Sequence, residues 1–168
     1  FLMSCDKNPG DSGRDNQMIL PGNVYSENVK DTFKIYVHLP DGYTHNTDNL
    51  YPVIYLLDAD WYFDGSHYRI DEGGLVGITQ QLEAEDEFPE SILIGIGYPA
   101  TNHRQRDFLY PEDSISETSG GGENFYSFIK NELIPVVDKK YRTELNSRML
   151  IGHSYGGYFT LFSLFKER

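Results

Sequence analysis

Met149-Leu150-Ile151-Gly152-His153-Ser154-Tyr155-Gly156-Gly157 decides how this 168-residue chain folds. Three apolar residues of strand character run into a Gly-x-Ser-x-Gly pentapeptide, and Tyr158, Phe159, Leu161, Phe162 and Phe165 then recur at helical spacing. A serine at the crest of a sharp strand-to-helix turn exposes its hydroxyl and aims the following backbone N–H at a substrate oxygen. Only small flanking residues let the chain bend so tightly. Ser154 is therefore the candidate nucleophile. The pentapeptide alone is short enough to arise by chance. The strand before it, the Gly156-Gly157 pair and the apolar helix after it give it weight.

Upstream of the elbow, the chain alternates between strand and helix signals. From Thr32 to Pro40, Phe33, Ile35, Val37 and Leu39 alternate with Lys34, Tyr36 and His38, which predicts a half-buried strand ending in an Asp41-Gly42 turn. Pro52 to Leu57 and Ser91 to Tyr98 are continuous apolar runs of strand length, as central parallel strands require. Between them, Leu75, Ile78, Thr79 and Leu82 predict a helix within 66–85. Phe125, Phe128, Ile129, Leu133, Val136 and Val137 share the face of a further helix, which Pro135 is expected to bend and Lys139 and Lys140 to close. Gly120-Gly121-Gly122 lacks a following Lys-Ser/Thr and reads as a loop, not a phosphate cradle. Ser147 to Ile151 is the strand that feeds Ser154. The pattern predicts an α/β fold with a mostly parallel central sheet flanked by helices and with catalytic groups at strand C-terminal ends.

Composition narrows the function. The length suits one domain with a real core. A net charge of −12 and scattered basic residues argue against nucleic-acid binding. The four histidines His38, His45, His67 and His103 lack metal-ligand spacing and precede Ser154, so they read as surface or core residues. No run of 18 apolar residues exists to span a bilayer. The single cysteine, Cys5, excludes an internal disulfide, and Phe1-Leu2-Met3-Ser4-Cys5 is similar to the lipobox of bacterial lipoproteins. On that reading 1–20 is a signal remnant and flexible tether, Cys5 carries the lipid, and 21–168 is the N-terminal part of the folded domain at the bacterial cell envelope.

Several ordered segments carry a family likeness. They are Phe33-Lys34-Ile35-Tyr36-Val37-His38-Leu39-Pro40, Pro52-Val53-Ile54-Tyr55-Leu56-Leu57-Asp58, Arg104-Gln105-Arg106-Asp107, Gly121-Gly122-Glu123-Asn124-Phe125, Glu132-Leu133-Ile134-Pro135, Tyr141-Arg142-Thr143 and the elbow itself. From Val24 onward the chain resembles the esterase D-like branch of the α/β-hydrolases. That branch includes enterobactin-type siderophore esterases, feruloyl and acetyl xylan esterases and S-formylglutathione hydrolases. The Arg-x-Arg-Asp segment looks closest to the siderophore esterases.

The resemblance implies hydrolysis of a small-molecule carboxylic ester through an acyl-enzyme on Ser154, with no metal and no cofactor. It also implies two oxyanion donors. One is the backbone N–H of Tyr155; the other belongs to Ala59, Asp60 or Trp61, with Asp60 ranked first. Trp61, beside Tyr62 and Phe63, is a candidate substrate wall, with core packing the alternative. Arg104 is a candidate contact for an anionic substrate, although with Asp107 it also reads as a positioner of the loop after the Ser91–Tyr98 strand. Asp58 and Asp60 read as loop formers in preference to an acid pair, and His153 is turned away from Ser154. In this fold the acid and histidine follow the serine, yet 155–168 contains Glu167 and neither histidine nor aspartate. Both ends are therefore expected to be cut, the triad to be incomplete and an apolar sheet edge to be exposed. A feruloyl or acetyl xylan-type esterase, and a non-catalytic binding protein on the same scaffold, are the alternatives.

Overall fold

In a computed structural model, residues 23–66, 73–110 and 119–166 are described. Strand β1 spans Val24–Ser26, β2 Asp31–His38, β3 Tyr51–Leu57, β4 Ile92–Gly97 and β5 Thr143–Ile151. Helix α1 spans Ala59–Tyr62, α2 Gly74–Ala84, α3 Arg104–Phe108, α4 Gly122–Phe128, α5 Ile134–Lys140 and α6 Tyr155–Lys166, with a π-helical turn at Ile129–Leu133 joining α4 to α5.

The two apolar runs become the neighbouring strands β3 and β4, parallel, with Val53 opposite Ile92. Side chains alternate between two covered faces. Val53, Tyr55, Leu57, Ile92, Ile94 and Ile96 join a core with Phe108, Phe125, Phe128, Leu133 and Phe159 from α3 to α6. Ile54, Leu56 and Leu93 join a second core with Ala59 and Phe63, against which Leu75 and Val76 of α2 pack. Burial on both faces is why these strands read as unbroken apolar runs.

The sheet order is β1-β2-β4-β3-β5. β3 is parallel to β4 and β5, whereas β2 is antiparallel to β4 and to β1. The parallel arrangement thus holds at the centre, and β2 departs from it. The 39–50 connection carries turns and no helix. A parallel return needs a crossover element, so β2 runs the other way. His38 also departs from the alternation that put it on a polar face, since it is only 2% exposed. Burial lowers its pKa, disfavouring the charged ring.

Right-handed helical backbone continues from α4 through the π-helical turn into α5, and Pro135 follows that turn at once, so the irregularity expected at Pro135 takes the form of a wider turn just before it. β5 starts at Thr143, four residues earlier than the apolar pattern indicates, and pairs with β3 alone among the described residues. Along it and α6 an exposed apolar face runs through Leu145, Met149, Leu161, Leu164 and Phe165, as the sequence suggests. Part of it forms an open groove of about 730 Å³.

Phe125 is the aromatic hub beneath the elbow. Its ring centroid lies 5.3 Å from Phe33, 5.3 Å from Phe108 and 5.1 Å from Phe159, the residue that anchors α6. Truncation to alanine leaves a cavity among rings too large to close over it. Phe125→Ala is expected to lower the unfolding free energy by about 3–5 kcal/mol in urea titrations with an unchanged m-value. A loss below about 1 kcal/mol would show that the ring cluster is not the core it looks to be.

Candidate active site

The β3–β5 register sets Leu56 opposite Ile151, so the residues leaving the C-terminal ends of both strands emerge side by side. After β5 the chain turns through Gly152 and His153 to Ser154, which is exposed and holds φ at 56°. A left-handed backbone at a non-glycine residue costs of order 1–2 kcal/mol and persists only where its surroundings hold it. Here the His153 carbonyl accepts the Gly156 N–H at 2.9 Å and the Ser154 carbonyl accepts the Tyr158 N–H at 3.0 Å. The tightest constraint lies at Gly152, where a Cβ would stand 2.4 Å from the Gly156 carbonyl carbon and oxygen. The sequence signature of an elbow is thus a physical elbow.

The other wall of the mouth follows β3. Asp58, at φ 54°, caps α1 and is fully buried. Its carbonyl accepts the Trp61 N–H at 2.9 Å, which removes Trp61 from the three oxyanion donors considered. The N–H groups of Ala59, Asp60 and Tyr155 have no partner among the described residues, as first-turn amides of α1 and α6 lack an intrahelical acceptor. The Asp60 carboxylate fixes this turn to the sheet. It accepts the Tyr36 hydroxyl at 2.6 Å and the Tyr98 N–H at 2.7 Å. Burial and this bond raise the Tyr36 pKa well above its ordinary value. Gly97 admits the contact, because a Cβ there would lie 2.4 Å from Asp60 Oδ2.

Arg104, at the start of α3, reaches across both walls. Its Nε and Nη2 each donate to the Asp58 carboxylate at 2.9 Å, and Nη2 also donates to the His153 carbonyl at 3.4 Å. Its guanidinium lies 5.2 Å from the Trp61 ring and 5.0 Å from the Tyr155 ring. Burial pushes the Asp58 carboxyl above its ordinary pKa, against the pull of Arg104. Asp58 and Asp60 therefore have separate partners and do not form an acid pair. Asp107 is also buried, held by Arg106 at 2.6 Å and by the Tyr98 hydroxyl at 2.9 Å, away from the mouth's own contacts.

His153 is exposed and turned onto Tyr62, whose hydroxyl lies 3.2 Å from Nδ1. Of the aromatic trio, Phe63 is core, 1% exposed, whereas Trp61 and Tyr62 are half-buried at the mouth. Asp58, which the sequence presents as a loop former, is the site residue whose partner, Arg104, sequence reasoning misses. The only signal for Asp58 was its place immediately after an apolar strand. No group of three His, Cys, Asp or Glu side chains among the described residues is arranged to hold a metal. Cys5, His67 and Glu167 lie outside the described residues.

Gly152 and Gly157 make unequal demands. A Cβ at Gly157 would sit 3.3 Å from the Gly152 carbonyl oxygen, a contact that small shifts relieve, whereas the one at Gly152 collides with backbone. Gly152→Ala is expected to cost roughly 2–3 kcal/mol of stability, and Gly157→Ala less than half as much, both read from urea midpoints. Equal losses would contradict the packing of the elbow.

Comparison with known proteins agrees with this geometry. Residues 26–168 match the model of the family described as "Putative esterase". Ferri-bacillibactin esterase BesA of Bacillus subtilis is 29% identical over 173 residues, covering 89% of this chain and 55% of that protein. The crystal structure of the BES protein of Bacillus cereus superposes with a TM-score of 0.73 at 26% identity, covering 99% of this chain and 61% of that one. An IroE-like serine hydrolase of Shewanella oneidensis gives 0.71 at 27% identity, covering 88% and 46%. The chain thus spans about half the length of the relatives it matches. A nucleophile elbow on a parallel-centred sheet, in a chain matched almost throughout by one family model, places the protein in the "Putative esterase" family with an α/β-hydrolase fold.

Proposed function

We propose that this protein hydrolyses carboxylic esters through an acyl-enzyme on Ser154. The observation that carries the reading is the left-handed, exposed Ser154 at the end of β5, beside the amides of Ala59, Asp60 and Tyr155, which have no partner among the described residues. In the proposed reaction Ser154 Oγ attacks the ester carbonyl while its proton passes to a general base. The carbonyl oxygen becomes an oxyanion that accepts from Tyr155 N–H and from Asp60 N–H, and its collapse breaks the ester C–O bond as the base passes the serine proton to the departing oxygen, which leaves as the alcohol. Water then attacks the acyl-enzyme, its proton going to the same base, and the acid leaves as Ser154 regains its proton. His153 is committed to Tyr62. In the chain order this fold uses, the base would be a histidine after Ser154, and 155–168 holds none.

The substrate class proposed is the siderophore esters, supported by the likeness to the ferri-bacillibactin esterase BesA and to an apo-salmochelin esterase of Escherichia coli that is 28% identical over 66% of this chain. Trp61 and Tyr62 are the proposed walls of the acyl site, their apolar rings lying next to the elbow. We also propose Cys5 as a lipid attachment point that tethers the domain to the bacterial cell envelope, on the strength of Leu2-Met3-Ser4-Cys5.

In the intact gene product, Ser154→Ala should lower kcat for a siderophore ester at least about 10³-fold without loss of stability, and wild-type kcat/KM should be higher for that ester than for a feruloyl ester. Retained turnover in Ser154→Ala would exclude Ser154 as nucleophile; a preference for the feruloyl ester would move the substrate to the carbohydrate esters. Incorporation of radiolabelled palmitate that disappears in Cys5→Ala would support the tether. Equal labelling of the two would remove it.

A further inference from the structure

Arg104 has a chemistry that substrate contact does not account for. Its side chain is 17% exposed and its partner Asp58 is 0% exposed, so the pair is sealed beneath the mouth. The two residues are 46 positions apart in sequence, and their two parallel bonds at 2.9 Å give a planar fork with fixed direction. From that fixed position Nη2 also reaches the His153 carbonyl at 3.4 Å, the same carbonyl that accepts Gly156 N–H at 2.9 Å inside the elbow. Trp61, from α1, and Tyr155, from α6, lie against the guanidinium. One side chain thus ties the turn after β3, which bears the Asp60 amide, to the turn after β5, which bears Ser154 and the Tyr155 amide.

We propose that the Arg104–Asp58 pair is a strut that sets the separation between the two halves of the oxyanion hole, making both of them positioning residues for acyl transfer. The inference rests on the esterase reading above. The oxyanion forms only when the carbonyl becomes tetrahedral, so donors held at the wrong spacing weaken transition-state binding and leave ground-state binding nearly untouched. A shift of the order of 1 Å in such donors costs about 10²-fold in rate. Nothing in the strut moves a proton or touches the scissile bond; its effect is carried entirely by the backbone amides it spaces.

The test uses the intact gene product with 4-nitrophenyl butyrate. Arg104→Met should lower kcat about 10²-fold with KM within threefold of wild type, and affinity for a trifluoromethyl ketone analogue, which forms the oxyanion on Ser154, should fall in parallel. Arg104→Lys should recover only part of the rate, because an ammonium cannot make the fork. Asp58→Asn combined with Arg104→Met removes the buried unpaired charge that Arg104→Met alone would leave. This double variant should regain thermal stability yet stay as slow as Arg104→Met. A tenfold rise in KM with kcat unchanged would make Arg104 a substrate contact and overturn the strut. So would recovery of kcat together with stability in the double variant, since the original loss would then be one of folding. Absence of Ser154-dependent hydrolysis in the wild type would overturn the esterase reading itself, an outcome separate from an active enzyme that is indifferent to Arg104.

Discussion

Backbone contact between Gly152 and Gly156 is the constraint on which the rest of the site depends. A single methyl group on Gly152 would lie 2.4 Å from the Gly156 carbonyl, so the turn closes only because that group is missing. With the turn closed, Ser154 is exposed at φ 56° and the Tyr155 amide at the start of α6 has no acceptor among the described residues. The strain is balanced by what the turn permits. α6 runs back along the sheet and buries Phe159 completely among the rings of Phe108 and Phe125. A packed helix thereby holds a serine in a conformation it would leave if free.

The same logic governs the opposite wall. Asp58 also adopts a left-handed backbone, at φ 54°, and α1 begins at once after β3. Its carboxylate is taken out of water, which is unfavourable unless a charge with matching geometry meets it. Arg104 meets it, and, two residues on, the Asp60 carboxylate accepts from the Tyr36 hydroxyl and the Tyr98 N–H. Parallel pairing of β3 with β5 brings the two walls together, and the side chains then set how far apart they stand. Fold and chemistry are connected at this point: strand order decides which turns are neighbours, and one buried ion pair spans the gap.

Much of this was legible in the sequence, for a physical reason. β3 and β4 are buried on both faces and so carry unbroken apolar runs, and the elbow is tight enough that its first position, Gly152, admits no Cβ. Other parts left no local trace. Glu144 to Asn146 face solvent, and a register irregularity separates the Tyr51–Thr143 pair from the Val53–Arg148 pair, so no apolar alternation marks a strand there. α1 and α3 are four and five residues long, held by tertiary contacts and not by propensity. The roles of Asp58 and Arg104 depend on a contact between residues 46 positions apart, and periodicity carries no information over that span. Sequence leaves Trp61 among the three oxyanion donors, because it does not say which amide of a short turn is already bonded.

The central claim is that Ser154 carries the acyl group, and the most direct measurement traps it there. The intact gene product, mixed with a slowly deacylated ester, quenched in acid within the first turnover and digested, is analysed by peptide mass spectrometry. The account predicts the acyl mass on the peptide containing Ser154, appearing within one turnover and chased off by water. An acyl mass on another residue, or hydrolysis with no covalent adduct at any time point, would contradict it.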